Sequence, residues 1–195
     1  MLSKLFNKEY PEFWKKYTDS FKQPATKYVV ISMETSGLDT EKDVIMSIAA
    51  TSIIDNRIIL KDSFEIFIQH KKQFDIHLDN EFLVLSKVAK ISEEVAMETL
   101  LEYLGNSIFI GHRVDFDIEM LNEALSRMKL GKIRNEAFDI EAMFNKVAET
   151  NEKKYSLEEM SKSLNSAISS RNSVADDTYS IALLFLKLKS KLGIK

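Results

Sequence analysis

Tyr28-Val29-Val30-Ile31-Ser32-Met33-Glu34-Thr35-Ser36-Gly37-Leu38-Asp39 is an apolar run of strand-forming residues that stops in a short polar turn containing Gly37. A strand edge followed by a glycine-bearing loop is a place where a fold can hold a side chain rigidly beside open space. Glu34 is the acid at that place. Read alone, the stretch is equally a plain strand-to-turn boundary with a solvated glutamate, so its meaning depends on what surrounds it.

Downstream, Val44–Ile54 and Ile58–Ile68 read as two further strands. Asp55-Asn56-Arg57 between them is short enough for a hairpin, which makes this pair antiparallel. Residues 69–92 are polar and less periodic, with a short helix expected over Phe82–Val88. Ser92 then reads as a helix cap, with Glu93 and Glu94 in the first turn and Gly105 as the stop. Val95, Thr99, Leu100, Tyr103 and Leu104 are its expected apolar side. Ile108-Phe109-Ile110 is a short buried strand, followed by the Gly111-His112-Arg113 loop and a helix with Phe116, Met120, Leu121, Ala124 and Leu125 on one face. Arg134–Phe138 is a thin final strand, and Asp139 opens a helix to about Val147. Ser156 and Glu159 are spaced as a capping box. The last helix runs from about Val174 to Leu192, and Asp177 lies one turn in. Three strands followed by helix, strand, helix, strand and helices give an α/β fold: one mixed five-stranded sheet flanked by helices.

Upstream, Leu2, Leu5, Phe6, Tyr10, Phe13, Trp14, Tyr17 and Phe21 recur at helical spacing, and Pro11 opens a helix. This aromatic face is either a packing surface or a base-stacking platform. Interleaved lysines such as Lys15-Lys16 keep the second alternative open. Gln23-Pro24-Ala25-Thr26 reads as a linker, giving an N-terminal helical extension at 1–26 and a main domain at 27–195. The extension is expected to dock across the domain or onto a protein partner.

With 195 residues, the chain is long enough for one domain with a substantial core. The absence of cysteine excludes disulfides and thiolate metal sites, and fits a reducing, cytoplasmic setting. No apolar run approaches the roughly 18 residues that a membrane helix needs, and the N-terminus does not read as a signal peptide. The net charge of −3 argues against a protein that coats nucleic acid over many phosphates. It leaves room for a site that handles a strand end through metal ions, since such a site is itself acidic.

Glu34 at a strand end, Asp117 at a helix start and Asp177 in the first turns of the last helix occupy places that can meet at one rim of such a sheet. Carboxylates meeting there need cations between them, and hard oxygen ligands suit magnesium or manganese. His112 reads as support for its loop, His70 and His77 as surface histidines, and Asp139 as a helix cap.

At this point the chain resembles the DEDD 3′-to-5′ exonucleases of the histidine subtype, the superfamily of the proofreading subunit of bacterial replicative polymerase, oligoribonuclease and RNase T. The first block, Asp-x-Glu-Thr-Thr-Gly-Leu, appears as Ser32-Met33-Glu34-Thr35-Ser36-Gly37-Leu38. The second, Gly-His-Asn-x-x-Phe-Asp, appears as Gly111-His112-Arg113-Val114-Asp115-Phe116-Asp117. The third, a histidine five residues before an aspartate, appears as Asn172 and Asp177.

The resemblance implies a ribonuclease H-like fold and two Mg²⁺ or Mn²⁺ ions, with Glu34, Asp117 and Asp177 as retained metal ligands. Ser32 replaces the aspartate that bridges both ions, and Asn172 replaces the general base. Ser32 offers a neutral oxygen where the family has a charge facing two cations. Asn172 cannot cycle a proton, and general-base help is typically worth about 10²–10⁴-fold. One ion or none is therefore expected here.

The resemblance also makes Met33, Thr35, Gly37, His112, Arg113 and Phe116 the substrate-contacting set. Arg113 stands in for an asparagine, where it either neutralises the acids or holds a phosphate. The implied function is a degenerate homologue, with absent or weak exonuclease activity, that still binds single-stranded nucleic-acid 3′ ends or a protein partner. The alternative is an active exonuclease on single-stranded DNA or RNA, with a substitute ligand from Asp39, Glu41 or Asp43.

Overall fold

The computed structural model describes residues 9–70, 88–168 and 173–194. Leu2, Leu5, Phe6, His77, most of the expected Phe82–Val88 helix and Asn172 lie outside the described residues.

The sheet is built on β1 (Tyr28–Thr35), which pairs antiparallel with β2 (Ile45–Ile54) and parallel with β5 (Ile108–Gly111). β2 continues into β3 (Arg57–Gln69) through a two-residue turn. Asp55 and Asn56 both adopt positive φ, 51° and 59°, the backbone twist that a tight hairpin requires. β4 (Lys90–Ser92) runs parallel to β3 at one edge, and β6 (Ala137–Asp139) runs parallel to β5 at the other. The order is β4-β3-β2-β1-β5-β6. The sheet thus has six strands rather than the expected five. The extra strand, β4, is three half-buried or exposed residues at the sheet edge, too short to show any alternation.

Successive residues of β1 point to opposite layers. Val29 and Ile31 enter a core with α1 (Glu12–Ser20), α2 (Glu93–Leu104) and α3 (Val114–Arg127). Val30 enters a second core with α4 (Ile140–Val147), α5 (Leu157–Ser163) and α6 (Val174–Lys191). The molecule is a sheet between two helical layers.

The helix punctuation follows local chemistry. Ser92 accepts from the Val95 amide, and Gly105 ends α2 at φ 49°. Ser156 and Glu159 form the capping box of α5. The buried side of α2 is Ala96, Met97, Leu100, Leu101 and Leu104, one step round from the expected face, and Val95 is exposed. Pro11 is the cap of α1 rather than its first-turn residue.

Phe13, Trp14 and Tyr17 of α1 are buried in the first core, with Tyr17 edge-on to Phe21. Burying an aromatic of this size stabilises by roughly 1.5–3 kcal/mol, so this face serves packing rather than base stacking. Among the described residues, no helix is long and apolar enough to cross a membrane.

Candidate active site

β1, β5 and β6 run parallel, so their C-terminal ends share one rim, the side on which open α/β sheets keep their ligands. Alternation along β1 sets Ser32 and Glu34, both half-buried, on the α6 side with Val30. Ser32 pairs with Ala49, and Glu34 with Ser47. Thr178 of α6 donates to the Val174 carbonyl at 2.8 Å and lies 3.5 Å from the Ala49 carbonyl. The first turns of α6 therefore cross β2 beside Ser32. Asp177 shares the helical stripe of Val174 and Ile181, which faces the sheet. Ser32, Glu34 and Asp177 thus lie in one layer.

Asp117 reaches the rim from the other layer. It lies in the first turn of α3, whose Met120, Leu121, Ala124 and Leu125 pack into the first core. Its Oδ2 lies 3.2 Å from where a Cβ on Gly111 would stand, so glycine at the end of β5 makes room for the carboxylate. Burial, and then the charge of Asp139, push the Asp117 carboxyl well above the usual carboxylate range.

Asp139 caps two helices. One oxygen accepts from the Val114 amide of α3 at 2.7 Å, and the other from the Glu141 and Ala142 amides of α4 at 2.7 and 3.1 Å. Its role as a cap was legible in the sequence for α4, but the bond to α3 was not.

The turn after Glu34 is closed by Asp43. Ser36 donates to Asp43 Oδ1 at 2.7 Å, and the Asp39 amide donates to Asp43 Oδ2 at 2.9 Å. A Cβ on Gly37 would stand 2.4 Å from Asp43 Oδ2, so the turn requires glycine there. Thr35 is buried and donates to the Gly37 carbonyl at 2.6 Å. Asp39 pairs with Lys42 and accepts the Glu41 amide. Asp39 and Asp43 are therefore engaged within their own turn. Leu38 at the tip is 85% exposed.

Several expected contacts change character. Met33 points to the opposite face from Glu34 and packs against the first core. Thr35 and Gly37 shape the turn from within and present little surface. His112 Nε2 lies 2.9 Å from the Tyr155 carbonyl, in keeping with loop support. His70 is half-buried, with Nε2 2.8 Å from the Ile45 carbonyl, and is not a simple surface histidine. Arg113 reaches Glu141 Oε1 at 3.4 Å, so the acid it neutralises is Glu141 rather than the three rim carboxylates. Phe116 is half-buried against the first core.

Sequence reasoning missed Glu141 and Glu65. Glu141 accepts the Tyr155 amide at 2.6 Å and ties the His112-Arg113 loop to the segment before α5. Burial opposes its ionisation, but the Tyr155 amide, Arg113 and His112 outweigh that and hold its carboxyl below the usual range.

Glu65 pairs across β2 with Ala49, in the same row as Ser32, and its Oε1 lies 3.4 Å from the Ala175 amide at the start of α6. The hairpin register hides it. Ser52 pairs with Ile59, but past the irregularity Ala50 pairs with Phe64, so counting back from the turn puts the wrong acid opposite Ala49.

Glu34, Asp117 and Asp177 are the three carboxylates that the sequence pattern sets toward this rim. Among the described residues, no three histidine, aspartate or glutamate side chains converge into a group that could hold a metal ion. Ser47, opposite Glu34, is fully buried, and its hydroxyl has no hydrogen-bond partner among the described residues.

The family model described as Exonuclease (RNase_T) matches residues 29–185. No curated protein matches the sequence significantly. Among solved structures, the chain is similar to exonuclease X in complex with 5′ overhanging duplex DNA, at 16% identity and TM-score 0.64, covering 86% of this chain and 94% of that one. It is also similar to E. coli exonuclease I in complex with a dT13 oligonucleotide, at 15% identity and TM-score 0.66, covering 86% of this chain. A third similar structure is cell-death related nuclease 4 (CRN-4), at 13% identity and TM-score 0.70, covering 87% of this chain. The chain spans 42% of exonuclease I and 65% of CRN-4. At these identities the structures establish the fold, a ribonuclease H-like sheet between helices. The match over most of its length establishes the family: the chain belongs to the exonucleases of the RNase T type.

Proposed function

We propose that this protein is a degenerate exonuclease: it binds single-stranded nucleic-acid 3′ ends at the rim of β1 and β5, with absent or weak 3′-to-5′ hydrolysis. The observation that carries this reading is Ser32, which stands beside Glu34 on the α6 face where the resemblance calls for a bridging carboxylate. Under this reading Glu34, Asp117 and Asp177 hold one Mg²⁺ or Mn²⁺ or none. When bound, the ion supplies Lewis-acid polarisation of a phosphate oxygen. Exonuclease X and exonuclease I have been captured with overhanging and single-stranded DNA, the ligand class assigned here.

A second reading, an active enzyme with a substitute ligand, draws on Glu65, which lies in the cross-strand row of Ser32 at the start of α6.

The test is hydrolysis of end-labelled single-stranded DNA and RNA in magnesium, in manganese and in EDTA. It compares the protein with Glu34→Gln, Glu65→Gln and the Ser32→Asp/Asn172→His pair. The expected result is slow or no hydrolysis by the protein and a gain of about 100-fold or more in the pair, the scale of general-base help alone. Robust EDTA-sensitive hydrolysis by the unchanged protein, lost in Glu34→Gln, overturns the degenerate reading. Its loss in Glu65→Gln as well identifies the substitute ligand.

A further inference from the structure

At the end of β1 opposite the acidic rim, a cavity of about 410 Å³ lies between the last turns of α6 and the β2–β3 turn. Asn56, Leu186, Lys189, Ser190 and Ile194 line it. Lys189 is only 7% exposed. Its Nζ donates to Asn56 Oδ1 at 2.7 Å and lies 5.2 Å from the centroid of the Tyr28 ring. Among the described residues no carboxylate pairs with it, and Asp55, next to Asn56 in the turn, is exposed. A lysine is almost never this buried without a counter-charge. An amide oxygen and a ring face solvate the ammonium but do not neutralise it.

The position of Lys189 near the C-terminus of α6 is favourable for a cation. The end of that helix is already closed by the chain that follows, however. The Leu192, Gly193 and Ile194 amides donate to the Leu188, Ser190 and Lys189 carbonyls at 2.9, 3.2 and 3.0 Å, and Gly193 turns the chain at φ 66°. The same turn brings Ile194 to the cavity wall with Leu186, and both pack against the second core. Helix-end chemistry accounts for a cation here, but not for the open space beside it.

The ammonium has three hydrogens, and one goes to Asn56. Because lysine only donates, the oxygen of Asn56 faces it, and Asn56 Nδ2 is left for another acceptor. Arg57 and Lys191, both exposed, follow Asn56 and Ser190 in the chain and add positive charge. One ammonium and one neutral amide suit the two oxygens and single charge of a carboxylate better than a doubly charged phosphate. Leu186 and Ile194 suit an apolar body. The volume falls within the roughly 300–1,000 Å³ of small-molecule sites.

We infer that this cavity binds an organic carboxylate with an apolar body, one oxygen on the Lys189 ammonium and the other on Asn56 Nδ2. The ligand is a free acid or the last residue of a peptide, which share this chemistry. The cavity has no residue in common with the acidic rim, so the site stands or falls separately from strand-end binding.

The test is calorimetric titration of the full chain with benzoate, octanoate and N-acetyl-phenylalanine, and with the amide of each. It is repeated on Lys189→Met, which keeps the apolar stem, and on Asn56→Asp, which gives Lys189 a carboxylate from within the chain and tolerates positive φ. Thermal melting verifies that both variants fold. The expected result is binding of at least one carboxylate, at least tenfold weaker binding of its amide, and a tenfold or greater loss of affinity in both variants. Asn56→Asp should also melt higher than the parent. Tighter binding of N-acetyl-phenylalanine supports a peptide terminus as the source, and tighter binding of benzoate or octanoate supports a free acid. A parent that binds none of the three overturns the site. So does a folded Lys189→Met with the parent's affinity, or an amide that binds as well as its acid. Displacement by inorganic phosphate at equal concentration also overturns it, because the cavity would then hold any anion.

Discussion

The two ends of β5 and β6 are finished with different chemistry. At the N-terminal end a set of neutral polar groups is mutually paired. Tyr17 donates to Asn135 Oδ1 at 2.7 Å and accepts the Arg134 amide at 2.8 Å. Asn135 Nδ2 donates to the Gly105 and Ser107 carbonyls at 2.9 and 2.6 Å. At the C-terminal end the polar groups are acids. One of them, Asp117, is buried near the like charge of Asp139. The first end is organised for stability. The second sets a buried carboxyl, Asp117, beside the like charge of Asp139, which holds it in its protonated form to higher pH.

The largest expected effect comes from Asp139, the acid at the rim that the structure does satisfy. Asp139→Ala removes the cap of α3 and of α4 together. A cap is worth about 0.5–2 kcal/mol, so the loss should approach twice one cap, less the relief of repulsion on Asp117. Urea denaturation measures it, and Asp139→Asn should lose less because its carbonyl still accepts. A neutral Asp139→Ala would dissolve the distinction between the supporting acid and the ligand acids. At the other end, Asn135→Ala leaves the Gly105 and Ser107 carbonyls and the Tyr17 hydroxyl without this partner. An unsatisfied buried group costs about 1–3 kcal/mol. A smaller loss would mean that water enters that end.

Asp117→Asn should move stability the other way. The folded carboxyl holds its proton to higher pH than the unfolded one. Its contribution is complete below the ordinary aspartate pKa and is lost as pH rises through the raised folded value. The amide is spared that loss, so the variant should melt higher than the parent at neutral pH and show a flatter profile above the ordinary aspartate range. A lower melting point at neutral pH would show that the ionised carboxylate is compensated in the fold, and the two strand ends would then differ less than their charges imply.

Much of this contrast was legible in the sequence, because its parts are local. The Asp55-Asn56 hairpin, the Ser92 cap, the Ser156–Glu159 box and the glycine after Glu34 each follow from a few neighbouring residues. The acids at the rim were legible because each sits at an element boundary. What the sequence hid is long-range. Glu65 was masked by the extra residues of β3 at its register shift against β2, and β4 was too short to signal itself. Glu141 binds an amide fourteen residues on. The face of Met33 followed only once the two cores were assigned. The Tyr17–Asn135 bond spans 118 residues, and no spacing rule reports a contact at that separation.

That bond gives the smallest and most selective prediction. Burial pushes the Tyr17 phenol up to about 12, against the opposing pull of the Arg134 and Asn135 backbone. In the unfolded chain the phenol titrates near its ordinary value of 10.0. The folded value is the higher one, so the contribution is complete below pH 10 and is lost as pH climbs through about 12. Tyr17→Phe removes one hydroxyl and its two bonds, costing about 1 kcal/mol at neutral pH, the usual net value of such bonds. It also removes this alkaline loss, so parent and variant melting curves should converge between pH 10 and 12. Curves that stay parallel through that range would place the phenol in contact with solvent. The N-terminal end would then be no drier than the rim, and the division between a neutral structural end and a charged ligand end would rest on charge alone.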